Sequence, residues 1–348
     1  MTSVRHKGKN CCVEKHQPHL HTRVRRMKKA IVTGAAGFVG RHLCRYLAER
    51  GWTVVAVVRC TTGISAIEGA AVTHEVSNFA EQAAWDRLIS PGDAVVHLAA
   101  RVHVMRDTSA DAEAEYAAIN VGITETLARA AVRSGAASFV FLSSVKVNGE
   151  RTTDKPFSKE DAPQALDAYG RSKRDAERIL IQQLTGNALN VSILRPPLVY
   201  GPAVKGNFLR LLKLVESGLP LPFAGVRNAR SLLYVGNLVS AIERCIDAES
   251  PGIRTFLLSD SRDLSTPDLI SLMASALGMT ARLVFVPPSM LMALGMLTGR
   301  SGEVSRMVES LSVDSSKIRQ QLQWSPPFTV EQGLDSTARW YVDAKRSH

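Results

Sequence analysis

Residues 29–40 read KAIVTGAAGFVG, an apolar run that ends in three closely spaced glycines. The run 28–33 has the composition of a short buried strand, and residues 42–50 have a helical periodicity that stops at Gly51. In a strand–turn–helix unit of this kind, the glycines let the backbone approach a pyrophosphate at the positive end of the helix. The stretch therefore predicts a dinucleotide-binding turn whose residues are Gly34, Ala36, Gly37, Phe38, Val39 and Gly40.

Downstream of this unit, short apolar strands alternate with longer helical segments. Strands are predicted at 53–58, 94–98, 138–142 and 190–194, and helices at 111–134 and 168–184. Strands joined by crossover helices form a parallel sheet that is covered on both faces. The predicted fold class is therefore α/β, a Rossmann-like doubly wound parallel sheet with a smaller C-terminal substrate-binding lobe.

The predicted domain boundaries follow changes in this pattern. Residues 1–26 are expected to form a disordered basic extension, and residues 27–196 the dinucleotide-binding domain. Beyond Pro196, prolines and glycines interrupt the alternation. We therefore assign 197–229 and 261–348 to the substrate-binding lobe, with a return to the first domain near 230–260. Because Met27 directly precedes the first strand, a translation start at Met27 is a further hypothesis.

The net charge of +11 is concentrated in the N-terminal extension. Residues 1–26 carry seven Lys and Arg and one Glu, which gives +6 and leaves +5 for the remaining chain. That remainder is too weakly basic to indicate a nucleic-acid partner. A composition of 45% hydrophobic and 22% charged residues excludes a disordered or collagen-like chain.

Cysteine spacing and hydropathy restrict the compartment and the class of site. The five cysteines lack the paired spacing of a disulfide framework or a zinc site, and His16, His19 and His21 have no partner ligands nearby in sequence. No metal site is predicted, and a cytoplasmic location is expected. The most apolar stretch, 290–297, is far shorter than the roughly 20 residues of a transmembrane helix. The near-helical spacing of its methionines (Met290, Met292 and Met296) predicts packing in the core of the second lobe, with a peripheral membrane contact as the alternative.

The residue after the second strand distinguishes the two nicotinamide dinucleotides. NAD sites commonly place an Asp or Glu about 20 residues beyond the glycines, where it accepts hydrogen bonds from ribose hydroxyls. Arg59 stands there instead, followed by the hydroxyls of Thr61 and Thr62. A guanidinium pairs with a 2′-phosphate, so NADP(H) is the favoured cofactor. NAD(H) is the alternative, in which Arg59 is a solvated strand end.

Tyr169 and Lys173 are four residues apart in the predicted helix 168–184. This spacing places both side chains on one helix face, where an ammonium lowers the pKa of a phenol and prepares it for proton transfer. Ser143 and Ser144 follow the strand 138–142, at the edge where open α/β sheets bind ligands. Together with the glycine turn, these residues predict a catalytic site rather than a pair on the surface.

A set of short motifs spans about residues 28–345. It comprises Gly34 to Gly40, His97-Leu98-Ala99-Ala100, Asn120, Ser144, Tyr169-Gly170-Arg171-Ser172-Lys173 and Arg195-Pro196-Pro197-Leu198-Val199-Tyr200-Gly201-Pro202. In this combination the sequence resembles the extended short-chain dehydrogenase/reductases that act on nucleotide sugars. The resemblance implies that Ser144 hydrogen-bonds the reacting sugar oxygen and that Tyr169 is the general acid or base. It also implies that Lys173 holds the nicotinamide ribose and tunes Tyr169.

The same resemblance implies the other ligand contacts. Outside the glycine turn and Arg59, the expected cofactor-binding residues are Leu98, Ala99, Ala100, Asn120, Ser143, Tyr169, Lys173, Pro196, Pro197 and Val199. The expected substrate is a UDP-sugar, bound by Ser144, Lys146, Tyr169, Asn207 and Arg230, with Asn207 and Arg230 at the pyrophosphate. Lys146 either contacts the substrate or is a solvated charge at the rim. The chain departs from the family at Tyr234 and Asn237, where His and Asp are common, and the role of that loop is left open.

Three reactions of the family compete at the residues after Ser144. A 4,6-dehydratase carries an Asp-Glu pair there, and this chain has Val145 and Lys146, which disfavours a dehydratase. Arg59 and the subfamily-like segments 101–105 and 143–150 favour NADPH-dependent reduction of the C4 keto group of a UDP-4-keto-6-deoxy-N-acetylhexosamine, a step of O-antigen synthesis. The alternative is a UDP-glucose or UDP-N-acetylglucosamine 4-epimerase with bound NAD.

Two further expectations concern the whole chain. A non-catalytic NADP-binding sensor is a hypothesis from a different functional class, and the complete set of Ser144, Tyr169 and Lys173 disfavours it. The resemblance also implies a homodimer formed by the helices 111–134 and 168–184.

Overall fold

The computed structural model describes Thr2 and residues 28–62, 66–101, 112–248 and 250–346. Apart from Thr2, the predicted extension 1–26 lies outside the described residues. The strands are β1 (Lys29–Thr33), β2 (Thr53–Val58), β3 (Val72–Glu75), β4 (Ala94–His97), β5 (Ser138–Leu142), β6 (Asn190–Arg195), β7 (Leu198–Tyr200), β8 (Leu232–Tyr234) and β9 (Gly252–Leu257). The α-helices are α1 (Phe38–Glu49), α2 (Gln82–Leu88), α3 (Ala112–Tyr116), α4 (Ile123–Arg133), α5 (Ala168–Leu184), α6 (Gly206–Glu216), α7 (Val235–Ile246), α8 (Thr266–Ala276), α9 (Pro288–Leu297), α10 (Ser301–Val308), α11 (Ser316–Leu322) and α12 (Val330–Arg346).

Seven strands form one parallel sheet in the order β3-β2-β1-β4-β5-β6-β9. The chain moves outward from β1 to β3 on one side and then returns to place β4 on the other side of β1. This reversal opens a crevice at the carboxyl ends of β1 and β4, where doubly wound sheets bind their ligands. The α/β fold class predicted from the alternation of strands and helices is confirmed.

The sheet strands are apolar on both faces because helices cover each side. Ile31 belongs to the core beneath α4 and α5, and its neighbours Ala30 and Val32 belong to the core beneath α1 and α7. The same alternation runs through β2, β4, β5 and β6. Strands buried on two faces read as nearly continuous hydrophobic runs, which is the pattern that made them visible in the sequence.

A third core belongs to the smaller C-terminal lobe. It joins α6, α8 and α12 to the two-stranded sheet of β7 and β8, and the Tyr200 and Phe208 rings stack in it with centroids 5.1 Å apart. Asn237 donates from Nδ2 to Asp260 Oδ1 (2.8 Å) and accepts at Oδ1 from the Phe328 backbone N–H (2.9 Å). In this geometry Asn237 connects the chain that follows β9 to the chain ahead of α12.

Two predicted elements differ from the observed ones. The predicted helix 111–134 is interrupted, because a π-helix (Ala117–Gly122) separates α3 from α4, and Asp111 lies outside the described residues. The prediction that the α9 methionines fill the core is wrong for Met290 and Met296, which are exposed. The face of α9 that packs on α10 carries Leu291 and Gly295 instead. None of the helices in the described ranges is long and apolar enough to cross a bilayer.

Candidate functional site

The glycine turn between β1 and α1 has the geometry of a phosphate cradle. Gly34 has φ +69°, a region that favours glycine, and its carbonyl accepts from the Gly37 N–H at 2.9 Å. A Cβ on Gly40 would lie 2.2 Å from the Gly34 carbonyl oxygen, so only glycine lets α1 approach the turn this closely. No side chain caps α1 and its first turn carries no acid. The free N–H groups and the helix dipole therefore fit an anionic pyrophosphate. Ala36, Phe38 and Val39 line this turn and are partly buried.

A buried histidine fixes the neighbouring strand end. His97 Nδ1 lies 2.7 Å from Thr33 Oγ1, and its Nε2 lies 3.0 Å from Thr124 Oγ1. Burial, with Lys173 nearby, lowers the pKa of His97 to about 3, so the ring is neutral at physiological pH. The backbone N–H of Ala99 donates to the same Thr33 hydroxyl (3.3 Å). This network holds the predicted cofactor residues Leu98, Ala99 and Ala100 beside the glycine turn.

Asn120 lies in the π-helix and connects three elements. Its Nδ2 donates to Ser172 Oγ (2.9 Å) and to the Arg101 carbonyl (3.1 Å), and its Oδ1 accepts from the Arg101 N–H (2.8 Å). Ser172 Oγ in turn donates to the Tyr169 carbonyl at 2.8 Å. Single π turns inside α-helices occur frequently at functional sites, where the wider turn redirects a side chain. In this structure both N–H groups of Asn120 are used to position the chain around Tyr169.

Tyr169 and Lys173 share one face of α5, beside the end of β5. Asp167 caps the helix by accepting from the Gly170 N–H at 2.7 Å, which places Tyr169 in the first turn. Lys173 is buried, donates to the Leu142 carbonyl (2.7 Å), and its Nζ lies 4.5 Å from the Phe141 ring centroid. Because Leu142 directly precedes Ser143 and Ser144, this contact brings the predicted catalytic lysine to the strand end that carries the serines.

Ser144 caps the short 3₁₀ turn Val145–Val147, and its Oγ accepts from the Lys146 N–H at 3.2 Å. The strand end is fixed from β6, since Ser143 N donates to the Leu194 carbonyl (2.7 Å) and Val145 N to the Pro196 carbonyl (2.9 Å). Pro196 and Pro197 are buried and Val199 is half-buried on this side. Val145 is buried as well, so no acid follows Ser144 into the cleft.

The pKa values differ from the expectation of an activated phenol. Burial, with Asp167 and Tyr116 adding to it, raises the pKa of Tyr169 above its ordinary value. Burial lowers the pKa of Lys173 to about 7, although the charge of Glu177 opposes the change. In the protein alone, desolvation is therefore the largest cause of both changes.

A buried ion pair beneath the site was not anticipated. Arg195 contacts Glu177 through Nη2 (2.5 Å) and Nε (3.0 Å), and its Nη1 donates to Asn148 Oδ1 at 3.0 Å. Ser143 Oγ also donates to Glu177. One signal was present in the sequence, because Tyr169, Lys173 and Glu177 repeat every four residues on one helix face.

Lys146 is engaged by two carboxylates rather than left open to a ligand. Its Nζ contacts Asp167 and lies 3.2 Å from Glu150 Oε1. The contact ties the 3₁₀ turn after Ser144 to the cap of α5. An Asp directly before a helical pattern is the sequence signal that would have identified Asp167.

At the end of β2, Arg59 is exposed, and a carboxylate stands on the neighbouring strand. Val58 pairs in register with Glu75 of β3. Glu75 Oε2 accepts from both the N–H (3.0 Å) and the hydroxyl (2.7 Å) of Thr61, and these bonds lower the pKa of Glu75. The Thr61 hydroxyl that was expected to assist a 2′-phosphate is therefore used by Glu75 in this structure.

The predicted pyrophosphate residues lie in the C-terminal lobe. Arg230 is held between the chains at Leu264 and Leu311, and its Nη1 donates to the Glu309 carbonyl at 2.9 Å. Burial and the charge of Arg306, on α10, lower the pKa of Arg230, although the charge of Glu309 opposes the change. Asn207 is exposed in the first turn of α6. Among the described residues, no cluster of three or more potential metal ligands occurs.

The NAD dependent epimerase/dehydratase family matches residues 30–256, about two thirds of the chain, including the glycine turn, Ser144, Tyr169 and Lys173. The chain belongs to this family. A protein named UDP-glucose 4-epimerase from Vibrio cholerae is 37% identical over 324 residues, covering 92% of this chain and 98% of its own. The family, that of the extended short-chain dehydrogenase/reductases acting on nucleotide sugars, is the one that the motifs indicated, and the resemblance is confirmed.

Solved structures of family members share the fold over nearly the whole chain. The crystal structure of UDP-glucose 4-epimerase with UDP-glucose from Thermotoga maritima has a TM-score of 0.73 at 23% identity and covers 91% of this chain and 99% of that one. MoeE5 in complex with UDP-glucuronic acid and NAD has a TM-score of 0.71 at 26% identity and covers 92% and 100%. The chain is thus a member of an NAD-binding family that modifies nucleotide sugars, whereas a preference for NADP has no support in these comparisons.

Proposed function

We propose that this protein is a UDP-hexose 4-epimerase that works with bound NAD. The observation that carries the proposal is the relative named UDP-glucose 4-epimerase, which is 37% identical over 92% of the chain. The geometry around Ser144 and Lys173 supports it, because Lys173 Nζ donates to the carbonyl of Leu142, two residues before Ser144, and Tyr169 stands one helical turn before Lys173 on α5. The comparisons favour this alternative over the reductase that Arg59 suggested.

The acid at the end of β3 supports NAD as the cofactor. Glu75 is ionised, because its pKa is lowered. It pairs in register with Val58, the residue directly before Arg59. A fixed negative charge there repels a 2′-phosphate and accepts hydrogen bonds from a ribose hydroxyl. The acid usually found at the end of the second strand is thus supplied from the next strand. Bound NAD supplies the hydride acceptor and donor for C4 of the sugar.

Tyr169 is the proposed proton carrier. Its phenolate takes the proton from the sugar O4 hydroxyl as C4 is oxidised and returns it to O4 after the ring has turned over. Because burial raises the pKa of the phenol, the phenolate needs a nearby positive charge, and Lys173 stands one helical turn away. The Ser144 hydroxyl hydrogen-bonds O4 and holds it at the phenol.

The nucleotide diphosphate is assigned to the C-terminal lobe. Arg230 stands directly before β8 and donates from Nη1 to the Glu309 carbonyl, and Asn207 stands in the first turn of α6. A guanidinium binds a diphosphate through charge-assisted hydrogen bonds. The sugar then lies between this lobe and Tyr169. The domain boundaries and the homodimer through α4 and α5 stay predictions.

Reduction of a 4-keto sugar by NADPH is the second candidate. Arg59 favours it, because an exposed guanidinium at the end of β2 is suited to a 2′-phosphate. It requires cofactor that exchanges at every turnover, whereas an epimerase returns its hydride and needs no exchange.

The decisive experiment measures UDP-glucose to UDP-galactose conversion by ¹H NMR without added cofactor. We expect conversion to equilibrium and NAD released when the purified protein is denatured. A parallel reaction with UDP-4-keto-6-deoxy-N-acetylglucosamine and NADPH or NADH follows the absorbance of the reduced cofactor. Stoichiometric NADPH consumption in that reaction, with no interconversion of UDP-hexoses, would contradict the epimerase and establish the reductase.

A further inference from the structure

The helix α9 presents an apolar face that the protein itself leaves uncovered. Met290, Leu294 and Leu297 recur at i, i+4 and i+7 and are therefore on one face. Met290 is 61% exposed and Leu297 86% exposed. The opposite face is used for packing, since a Cβ on Gly295 would lie 2.9 Å from Val304 of α10. α9 therefore packs on the protein through one face and leaves its other face exposed.

The chain before α9 also carries exposed apolar side chains. Phe285 is 73% exposed, and the segment is held by backbone bonds from Leu221 N to the Arg282 carbonyl (2.8 Å) and from Val284 N to the Leu221 carbonyl (2.9 Å). We define the apolar tip as the exposed residues Leu219, Val284, Phe285, Met290, Leu294, Met296 and Leu297. A concentration of exposed large apolar side chains of this kind favours an interaction site.

The charges around the apolar tip indicate what covers it. No Asp, Glu, Lys, Arg or His occurs between Arg282 and Arg300, and both arginines are exposed. The nearest acid beyond Arg300 is Glu303, whose carboxylate lies 3.5 Å from Arg210 Nη1. A symmetric contact between two copies would set cationic rims against each other. An anionic lipid surface complements both the apolar centre and the cationic rim.

We propose that the apolar tip binds the surface of an anionic lipid bilayer. Phe285 and the exposed face of α9 enter the acyl boundary, and Arg282 and Arg300 contact the phosphate headgroups. The contact is peripheral, because α9 has 10 residues, half of the roughly 20 that cross a bilayer. This binding is separate from the chemistry at Tyr169 and goes beyond the proposed function.

The test is co-sedimentation of the full-length, NAD-containing protein with vesicles. The vesicles are phosphatidylcholine alone or phosphatidylcholine with about 30 mol% phosphatidylglycerol, a content that gives a negative surface potential. We expect binding to the anionic vesicles, weakened by added salt. The double variant Leu294→Ser/Leu297→Ser should lower the partition coefficient by about tenfold or more, and Arg282→Gln/Arg300→Gln by about tenfold.

The matched control is Val72→Ser, which removes an exposed apolar side chain from β3, the edge strand of the seven-stranded sheet. It should bind anionic vesicles like the wild type, and all variants should keep wild-type turnover in vesicle-free buffer. No vesicle binding by the wild type would overturn the proposal. The second contrary outcome combines two results: the wild type does not bind vesicles, and the mass measured by light scattering is lower for Leu294→Ser/Leu297→Ser than for the wild type. A second copy of the chain would then cover the surface. Neither result bears on the epimerase assay, which needs no vesicles.

Discussion

The Tyr169 phenol carries the one proton that the proposed reaction moves. Tyr169→Phe keeps the ring and its neighbour Tyr116, whose centroid lies 6.4 Å away, and removes only the hydroxyl. We expect turnover to fall by about 10² to 10⁴-fold with NAD retained, measured as UDP-hexose interconversion and as NAD released on denaturation. Tyr116→Phe is the control and should keep most activity. Turnover near the wild-type rate in Tyr169→Phe would remove Tyr169 from the mechanism.

Lys173 makes stability depend on pH in a direction that can be worked out. Its pKa is about 7 in the fold against an ordinary 10.5, so between these values the unfolded chain binds more protons and the free energy of unfolding rises with pH. The cost of burying the charge is fully present below pH 7. From this group alone the rise between pH 7 and pH 9 is roughly 2 kcal/mol.

Lys173→Met should remove that rise and abolish turnover. Urea unfolding of the cofactor-free protein at pH 7 and pH 9 measures the free energy of unfolding at each pH. The change between the two pH values is then compared between wild type and variant. The exposed Lys155, which pairs with Asp161, is a suitable control, and Lys155→Met should leave the difference unchanged. If the free energy of unfolding changed equally with pH in Lys173→Met and Lys155→Met, Lys173 would be charged throughout this range.

At the scale of elements, the N-terminus of α5 is the structure that orients the site. Lys146 holds Asp167, and Asp167 caps the turn that carries Tyr169. Lys146→Ala should therefore lower kcat several-fold and leave KM for the UDP-sugar nearly unchanged, as steady-state kinetics would show. Lys155→Ala again serves as control. A large increase in KM at constant kcat would instead assign Lys146 to the substrate.

The buried pair of Glu177 and Arg195 stabilises the junction of α5, β5 and β6. Glu177→Gln leaves the Arg195 charge buried without its partner, which should cost about 3 to 5 kcal/mol in the free energy of unfolding. The double variant Glu177→Met/Arg195→Met should recover most of that loss. The exposed pair of Glu125 and Arg129 is the control, and Glu125→Gln should cost less than about 1 kcal/mol. A small loss in Glu177→Gln would show that water reaches Arg195.

Apolar runs and helical periodicity predicted the strands and helices that are marked by their own residues. The apolar runs of β2 and β5 and the helix α5 were predicted with their observed bounds. β3 was missed because all four of its residues are exposed, so no apolar run marks this edge strand. The π-helix around Asn120 was missed because no local pattern marks it, and the partners of the Asn120 side chain, Arg101 and Ser172, lie elsewhere in the chain.

For the candidate site, the sequence predicted the residues that motifs define and missed the ones that pair across the sheet. Gly34, Tyr169 and Lys173 were singled out by the spacing of the glycines and of the Tyr–Lys pair, taken together with the serines that follow β5. The pairing of Glu75 with Thr61, 14 residues apart, depends on the register of β2 and β3. The exposure of α9 likewise depends on which neighbour packs on it, and a run of methionines does not reveal that.

At the scale of the whole molecule, the proposed ligands connect the two lobes. The glycine turn lies at the sheet and Arg230 in the C-terminal lobe, so UDP and NAD should stabilise the protein independently. At about 100 times its Kd, UDP should add roughly 2.7 kcal/mol to the free energy of unfolding and raise Tm in a thermal shift assay.

Arg230→Ala should lose this response to UDP and keep its bound NAD, because Arg230 contacts Glu309 and not the glycine turn. The control is Arg262→Ala, an exposed arginine that pairs with Glu331. An undiminished shift with UDP in Arg230→Ala would place the diphosphate elsewhere, whereas loss of NAD in that variant would mean that the two lobes fold as one cooperative unit.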